Sequence, residues 1–141
     1  MTGWLLDTNI VSELCKTRPD RGVKAWADAQ PTNALFLSTV TLAEIRYGVA
    51  LQTDRAFRVE LENWLERRLR PWFVDRILPV DEDVILEWRR MVAEGKKKGI
   101  TFSQPDLFIA ATARLHSLTV CTRNEADFLK TGAPVFNPWS Q

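Results

Sequence analysis

Apolar residues fall in two rhythms along this chain, short unbroken runs and longer stretches at three- and four-residue spacing, and the two alternate. Trp4-Leu5-Leu6 is an unbroken run that ends on Asp7 and reads as a strand. Thr8 or Asn9 is placed to cap a helix over 8–15. Pro19-Asp20 opens a second helical stretch with Val23, Trp26 and Ala27 on one face, closed by the turn residues Pro31-Thr32-Asn33. Ala34-Leu35-Phe36-Leu37 reads as a buried strand. From Thr41 the spacing turns helical, with Leu42, Ile45 and Val49 on the apolar side and Tyr47 a further candidate. Phe57, Leu61, Trp64, Leu65 and Leu69 mark a longer helix that Pro71 stops, so these two helices form a hairpin arm between strands.

Arg76-Ile77-Leu78-Pro79-Val80 is a third strand, and Asp81 caps a helix that runs to the basic stretch before Gly99. After a loop over 99–102, Ser103 opens an alanine-rich, close-packed helix over 104–115. Leu118-Thr119-Val120-Cys121-Thr122 is a fourth strand, 124–130 a short helix, and Ala133-Pro134-Val135-Phe136 an edge strand. Strands that alternate with helices predict an α/β fold with a mostly parallel sheet of about five short strands covered on both faces. At 141 residues the chain is one domain, 1–141.

Composition narrows the chemistry. With 45% hydrophobic and 26% charged residues the chain suits a globular protein with a real core. No apolar run approaches the ~20 residues that cross a bilayer. The start, Met1-Thr2-Gly3-Trp4-Leu5-Leu6-Asp7, lacks a basic leader, so a cytoplasmic protein without membrane attachment is expected. Cys15 and Cys121 lie in apolar segments without CxxC spacing and read as buried free thiols. His116 is the single histidine, which removes His-rich zinc hydrolases and Ser-His-Asp triads and leaves the chemistry to carboxylates. A net charge of +1 means that any nucleic-acid site is a local patch. Arg55, Arg58, Arg67, Arg68 and Arg70 cluster, as do Arg89, Arg90, Lys96, Lys97 and Lys98; the plain reading of each cluster is a solvated helix face.

Four acids share one topological address. Asp7 follows a strand, while Glu44, Asp106 and Asp127 fall in the first turns of helices, positions that gather at the C-terminal edge of a parallel sheet. The competing explanation is capping. Thr41-Leu42-Ala43-Glu44, Ser103-Gln104-Pro105-Asp106 and Asn124-Glu125-Ala126-Asp127 each match a capping box, and Asp7 can itself cap the helix beginning at Thr8. Converging carboxylates repel one another, and a divalent cation resolves that conflict. Oxygen ligands without His or Cys select Mg²⁺ or Mn²⁺ with open positions, an ion suited to orienting water for attack on a phosphodiester.

Taken together, Leu5-Leu6-Asp7-Thr8-Asn9, Ser38 with Thr41-Leu42-Ala43-Glu44-Ile45-Arg46-Tyr47-Gly48, Pro105-Asp106 with Ile109-Ala110-Ala111-Thr112-Ala113, and Thr122-Arg123-Asn124 with Asp127-Phe128 resemble the four PIN-domain motifs of VapC and FitB ribonuclease toxins. The closing Val135-Phe136-Asn137-Pro138-Trp139 looks like the FitB-like branch. The resemblance covers nearly the whole chain. It implies a PIN-like (Rossmann-like) fold and a Mg²⁺- or Mn²⁺-dependent endoribonuclease. Asp7, Glu44 and Asp106 would be its acidic triad, Asp7 and Asp106 its direct metal ligands, and either Asp127 or Asn124 its fourth position. Thr8 and Thr122 would hold waters, and Arg46 and Arg123, beside the acids, are candidate phosphate contacts or surface ion-pair partners. Implied partners are an RNA substrate, a cognate small antitoxin, DNA through that antitoxin alone, and a second copy of the chain. Trp64, Trp72 and Trp88 are candidates for a dimer or antitoxin surface, against ordinary core packing.

Two other classes compete. A binding module with a degenerate site, acting only within a DNA-bound repressor complex, has no need to gather acids. A haloacid-dehalogenase-like phosphatase needs a second Asp two residues after the first, where this chain has Asn9.

Overall fold

The computed structural model describes residues 3–102 and 104–140. Five parallel strands form one sheet in the order β3-β2-β1-β4-β5. These are β1 (Gly3–Leu6), β2 (Leu35–Ser38), β3 (Ile77–Leu78), β4 (Leu118–Cys121) and β5 (Val135–Phe136). The helices are α1 (Thr8–Cys15), α2 (Arg21–Ala29), α3 (Thr39–Ala50), α4 (Arg55–Trp64), α5 (Arg70–Trp72), α6 (Glu82–Lys97), α7 (Gln104–Leu115) and α8 (Glu125–Leu129). Together with the parallel pairing they make the α/β layering that the alternation predicts.

The central strand shows why the sheet is covered on both faces. Successive side chains of a strand point to opposite sides. Leu5 accordingly packs with Val84, Ile109 and Val120, while Leu6 packs with Ile10, Leu35, Leu37 and Cys121. The arm between β2 and β3 is present as α3 and α4. Its outer helix buries no residue fully, and only Leu61 and Trp64 lean on the core.

Several local expectations shift. Of the cap candidates for α1 it is Asp7, rather than Thr8 or Asn9, that caps the helix, accepting from the Thr8 N–H at 2.8 Å. Helix α3 begins at Thr39 under a Ser38 cap, two residues ahead of Thr41, so Glu44 sits beyond the capping turn. Tyr47 is 67% exposed and takes no part in the apolar side. Pro71 does not end the second arm helix. A π turn over Leu65–Leu69, closed by the Arg70 N–H on the Leu65 carbonyl, precedes it and admits a residue with no N–H to give. Cys121 is buried as expected, but Cys15, at the last turn of α1, is only half-buried. Ser103, the expected cap of α7, lies outside the described residues, as do Met1 and Thr2.

Candidate active site

The sheet reverses its winding between β1 and β4, and in such folds ligands settle in the crevice beyond the strand ends at that reversal. Asp7 and Thr122 stand there, one after each strand. The Asp7 N–H extends the ladder to the Cys121 carbonyl at 3.0 Å, and the Thr122 hydroxyl donates to Asp7 Oδ2 at 2.8 Å. Thr122 Oγ1 in turn accepts from Asn9 Nδ2 at 3.2 Å and from the Asn124 N–H at 3.0 Å. Asn9 Nδ2 also reaches Asp7 Oδ2 at 3.3 Å. A carboxylate only 6% exposed is thereby fixed in one orientation by donors from both strand ends.

Asp7, Glu44 and Asp106 line one cavity of about 450 Å³ at this edge, with Asn124 and Arg123 on its wall. Their charges act on one another. Burial is the main reason that the Asp7 carboxyl is held above its ordinary range, with the charge of Asp106 adding to it and the bonds from Thr122, Thr8 and Asn9 opposing. Glu44 is raised as well, first by desolvation and then by Asp7 and Asp106, with the Thr8 side chain drawing it the other way. Thr8 Oγ1 nonetheless lies buried without a full hydrogen bond.

Capping no longer accounts for these acids in the same way. Asp7 does cap α1, yet Glu44 is no cap residue, and Asn124 caps α8 without a side-chain bond. Asp127 is exposed and lines an adjoining cavity of about 160 Å³ with Phe102, Asp106 and Lys130, so it borders Asp106 from the far side. Arg46 is not brought to the site. Two residues after Glu44 on α3, it points to the other side of the helix and lines a separate cavity with Glu62 and Glu66. Thr122 is spent on Asp7 itself rather than on a water. Trp88 packs against the second core cluster and its ring lies 5.3 Å from Phe108, whereas Trp64 lines a groove beside the cavity and Trp72 stays 38% exposed.

The cavity also holds Asn9, Ser12, Glu13, Lys16 and Trp139, to none of which the sequence assigns a site role. Thr8, Ser12 and Lys16 recur every fourth residue on α1, as do Asn9 and Glu13, so the polar face of that short helix was a usable signal. Trp139 stood out only within the closing 135–139 segment, with no role at the site, because only the return of the chain after β5 brings it there. Glu13 is largely buried and held below its ordinary range, chiefly by the hydrogen bond from Lys16 Nζ and then by that from the Asp20 N–H.

Among the described residues no three His, Cys, Asp or Glu side chains are set closely enough to enclose an ion unaided. What the cavity offers is a set of carboxylate and hydroxyl oxygens, among them a buried carboxyl raised above its ordinary range and a buried Thr8 hydroxyl without a full hydrogen bond. That set fits a hard divalent ion that keeps part of its water shell, and it does not fit zinc.

A family model described as PIN domain matches residues 4–134. The chain is similar to VapC ribonuclease Y4jK of Sinorhizobium fredii, 40% identical over 96% of each chain. It is 41% identical to toxin FitB of Neisseria gonorrhoeae over 96% of this chain and 97% of that one. The solved structure of FitAB bound to an IR36 DNA fragment superposes with a TM-score of 0.90 at 39% identity, covering 96% of this chain and 95% of that one.

Proposed function

The chain belongs to the PIN-domain family, among relatives named VapC ribonuclease and FitB toxin, and on that premise we propose that it is a divalent-metal-dependent endoribonuclease toxin. The observation that carries the reading is the meeting of Asp7, Glu44 and Asp106 in one cavity at the switch between β1 and β4.

Asp7 and Asp106 would hold the ion, with the Thr8 hydroxyl beside them. The chemistry that Mg²⁺ or Mn²⁺ would supply there is activation of a water and neutralisation of charge on a phosphoryl oxygen. Thr122, Thr8 and Asn9 keep the Asp7 carboxylate oriented so that no reorganisation is needed during the reaction. Glu44, raised above its ordinary range first by desolvation and then by Asp7 and Asp106, would take the proton of the attacking water. Asn124 fills the fourth position on the cavity wall, while Asp127 lies with Asp106 on the adjoining cavity. Arg123 meets the phosphate. RNA is the substrate, and a cognate antitoxin restrains the enzyme and supplies the contact with DNA, in keeping with the FitAB assembly on DNA. The working form is a homodimer in the cytoplasm; among the described residues no helix is long and apolar enough to cross a membrane.

The test is cleavage of an end-labelled RNA by the purified chain. Mg²⁺ or Mn²⁺ should support it, EDTA should stop it, and Asp7→Asn should lower it by at least about 100-fold, the range of a lost catalytic group, with the far-UV CD unchanged. Equal cleavage in EDTA, or by Asp7→Asn, would refute the assignment.

A further inference from the structure

A cavity that gathers acids repels the polyanion it has to admit. Something on its wall must offset that, and among its lining residues the cations are Lys16 and Arg123. Lys16 is already committed, its Nζ 2.9 Å from Glu13 Oε1. Arg123 is not. Its backbone N–H donates to Asn9 Oδ1 at 3.2 Å, which ties its position to the same amide that holds Asp7. Among the described residues its guanidinium makes no hydrogen bond and no ion pair; it helps hold the Glu13 carboxyl low only through space, as the smallest of several causes, and its close contact is the face of the Trp139 ring, 5.0 Å from the centroid.

That contact is the informative one. A guanidinium laid on an indole is fixed in plane by attraction to the ring face, yet keeps its N–H edges for a bidentate acceptor such as phosphate. A carboxylate partner would orient it as well but would consume those donors, as Glu13 does with Lys16. The indole is itself well anchored. The backbone N–H of Trp139 donates to Asn137 Oδ1 at 2.9 Å and Asn137 Nδ2 reaches Glu125 Oε2 at 3.4 Å, which fixes the main chain there, while the ring itself is held by packing on the core beside α2.

We propose that Trp139 is a positioning residue for substrate capture: its ring face holds Arg123 at the cavity mouth with its donors open, ready for an RNA phosphate. The inference rests on RNA being the substrate, and it concerns binding rather than the chemical step.

Steady-state cleavage of a short RNA by the full chain separates these roles. Arg123→Ala should raise KM by about tenfold, as expected for a lost charge-assisted pair. It should also flatten the slope of log kcat/KM against log salt by about 0.7, the share of one single-strand phosphate. Trp139→Leu keeps apolar volume but has no ring face; it should raise KM several-fold and leave kcat within about twofold, while Trp139→Phe restores KM. The double variant Trp139→Leu/Arg123→Ala should be no worse than Arg123→Ala alone, because both act through one contact. The inference is overturned if Leu and Phe at position 139 behave alike, if the two losses add, or if Arg123→Ala leaves the salt slope unmoved. Trp139→Met serves as a second non-aromatic variant; should neither it nor the Leu variant fold, the indole is a structural residue and the inference falls. No cleavage by the wild-type chain overturns the nuclease reading and this one with it, whereas wild-type cleavage with an unmoved Trp139→Leu KM overturns this one alone.

Discussion

Asp7 serves two roles that oppose each other, since a helix cap gains from being charged and a buried member of an acid cluster loses by it. Thr122 tips the balance. Its hydroxyl is fully buried, gives its proton to Asp7 and accepts from Asn9 and from the Asn124 backbone. Thr122→Val keeps the shape but strands these partners, which should cost about 1–3 kcal/mol in urea unfolding, with Thr122→Ser close to wild type. The variant should also need a higher pH for half-maximal cleavage, because the lost bond favoured the carboxylate. A cost confined to stability, with the pH profile unmoved, would mean that Thr122 only fills space. At this scale the sequence was informative where chemistry follows a strand end, as at Asp7, and ambiguous where an acid matched a cap pattern. Glu44 illustrates the ambiguity: Thr41-x-x-Glu44 looked like a capping box, and only the earlier start of α3 at Thr39, under the Ser38 cap, frees the acid for the cavity. Arg46 misled because adjacency in sequence is not adjacency on a helix.

The elements were legible because strands and helices carry different apolar periods, and misjudged where a backbone irregularity intervenes. Pro71 reads as a stop, yet the π turn at Leu65–Leu69 carries the helical path past it; no residue pattern announces such a turn. Gly95 is a comparable case within α6. A Cβ there would overlap the Phe102 ring, and Phe102 in turn lines the small cavity that Asp106 shares with Asp127. On propensity alone Gly95→Ala should stabilise the helix by about 1 kcal/mol. The overlap should outweigh this, costing about 1–3 kcal/mol, and displace the loop that delivers Asp106. Thermal unfolding and RNA cleavage of Gly95→Ala should both fall, and trimming the neighbour in Gly95→Ala/Phe102→Leu should recover part of the activity. A stabilised, fully active Gly95→Ala would show that the loop yields freely and that α7 is positioned without it.

Across the whole molecule the charges nearly cancel, at +1, but folding concentrates Asp7, Glu44 and Asp106 at one edge. Asp7 and Glu44 are raised above their unfolded values, so folding draws protons onto them. Without a divalent ion, stability should therefore rise as pH falls from above their folded values toward the ordinary carboxylate range. Below that range both states are protonated, and these groups contribute no further gain. An ion reverses the preference, since it binds the ionised form and only the folded chain gathers the ligands. At neutral pH and about 100 times its Kd, Mg²⁺ or Mn²⁺ should add about 2.7 kcal/mol and raise Tm by roughly 5–10 °C. The increment should shrink as pH is lowered through the same window, because protons and the ion compete for one set of oxygens. Asp7→Asn and Asp106→Asn should each lose most of it, and Asp7→Asn should flatten the pH dependence of the metal-free protein. Scanning calorimetry of these proteins at matched ionic strength measures both effects. A wild-type Tm indifferent to the ion at neutral pH would mean that the acids converge for some purpose other than holding a cation.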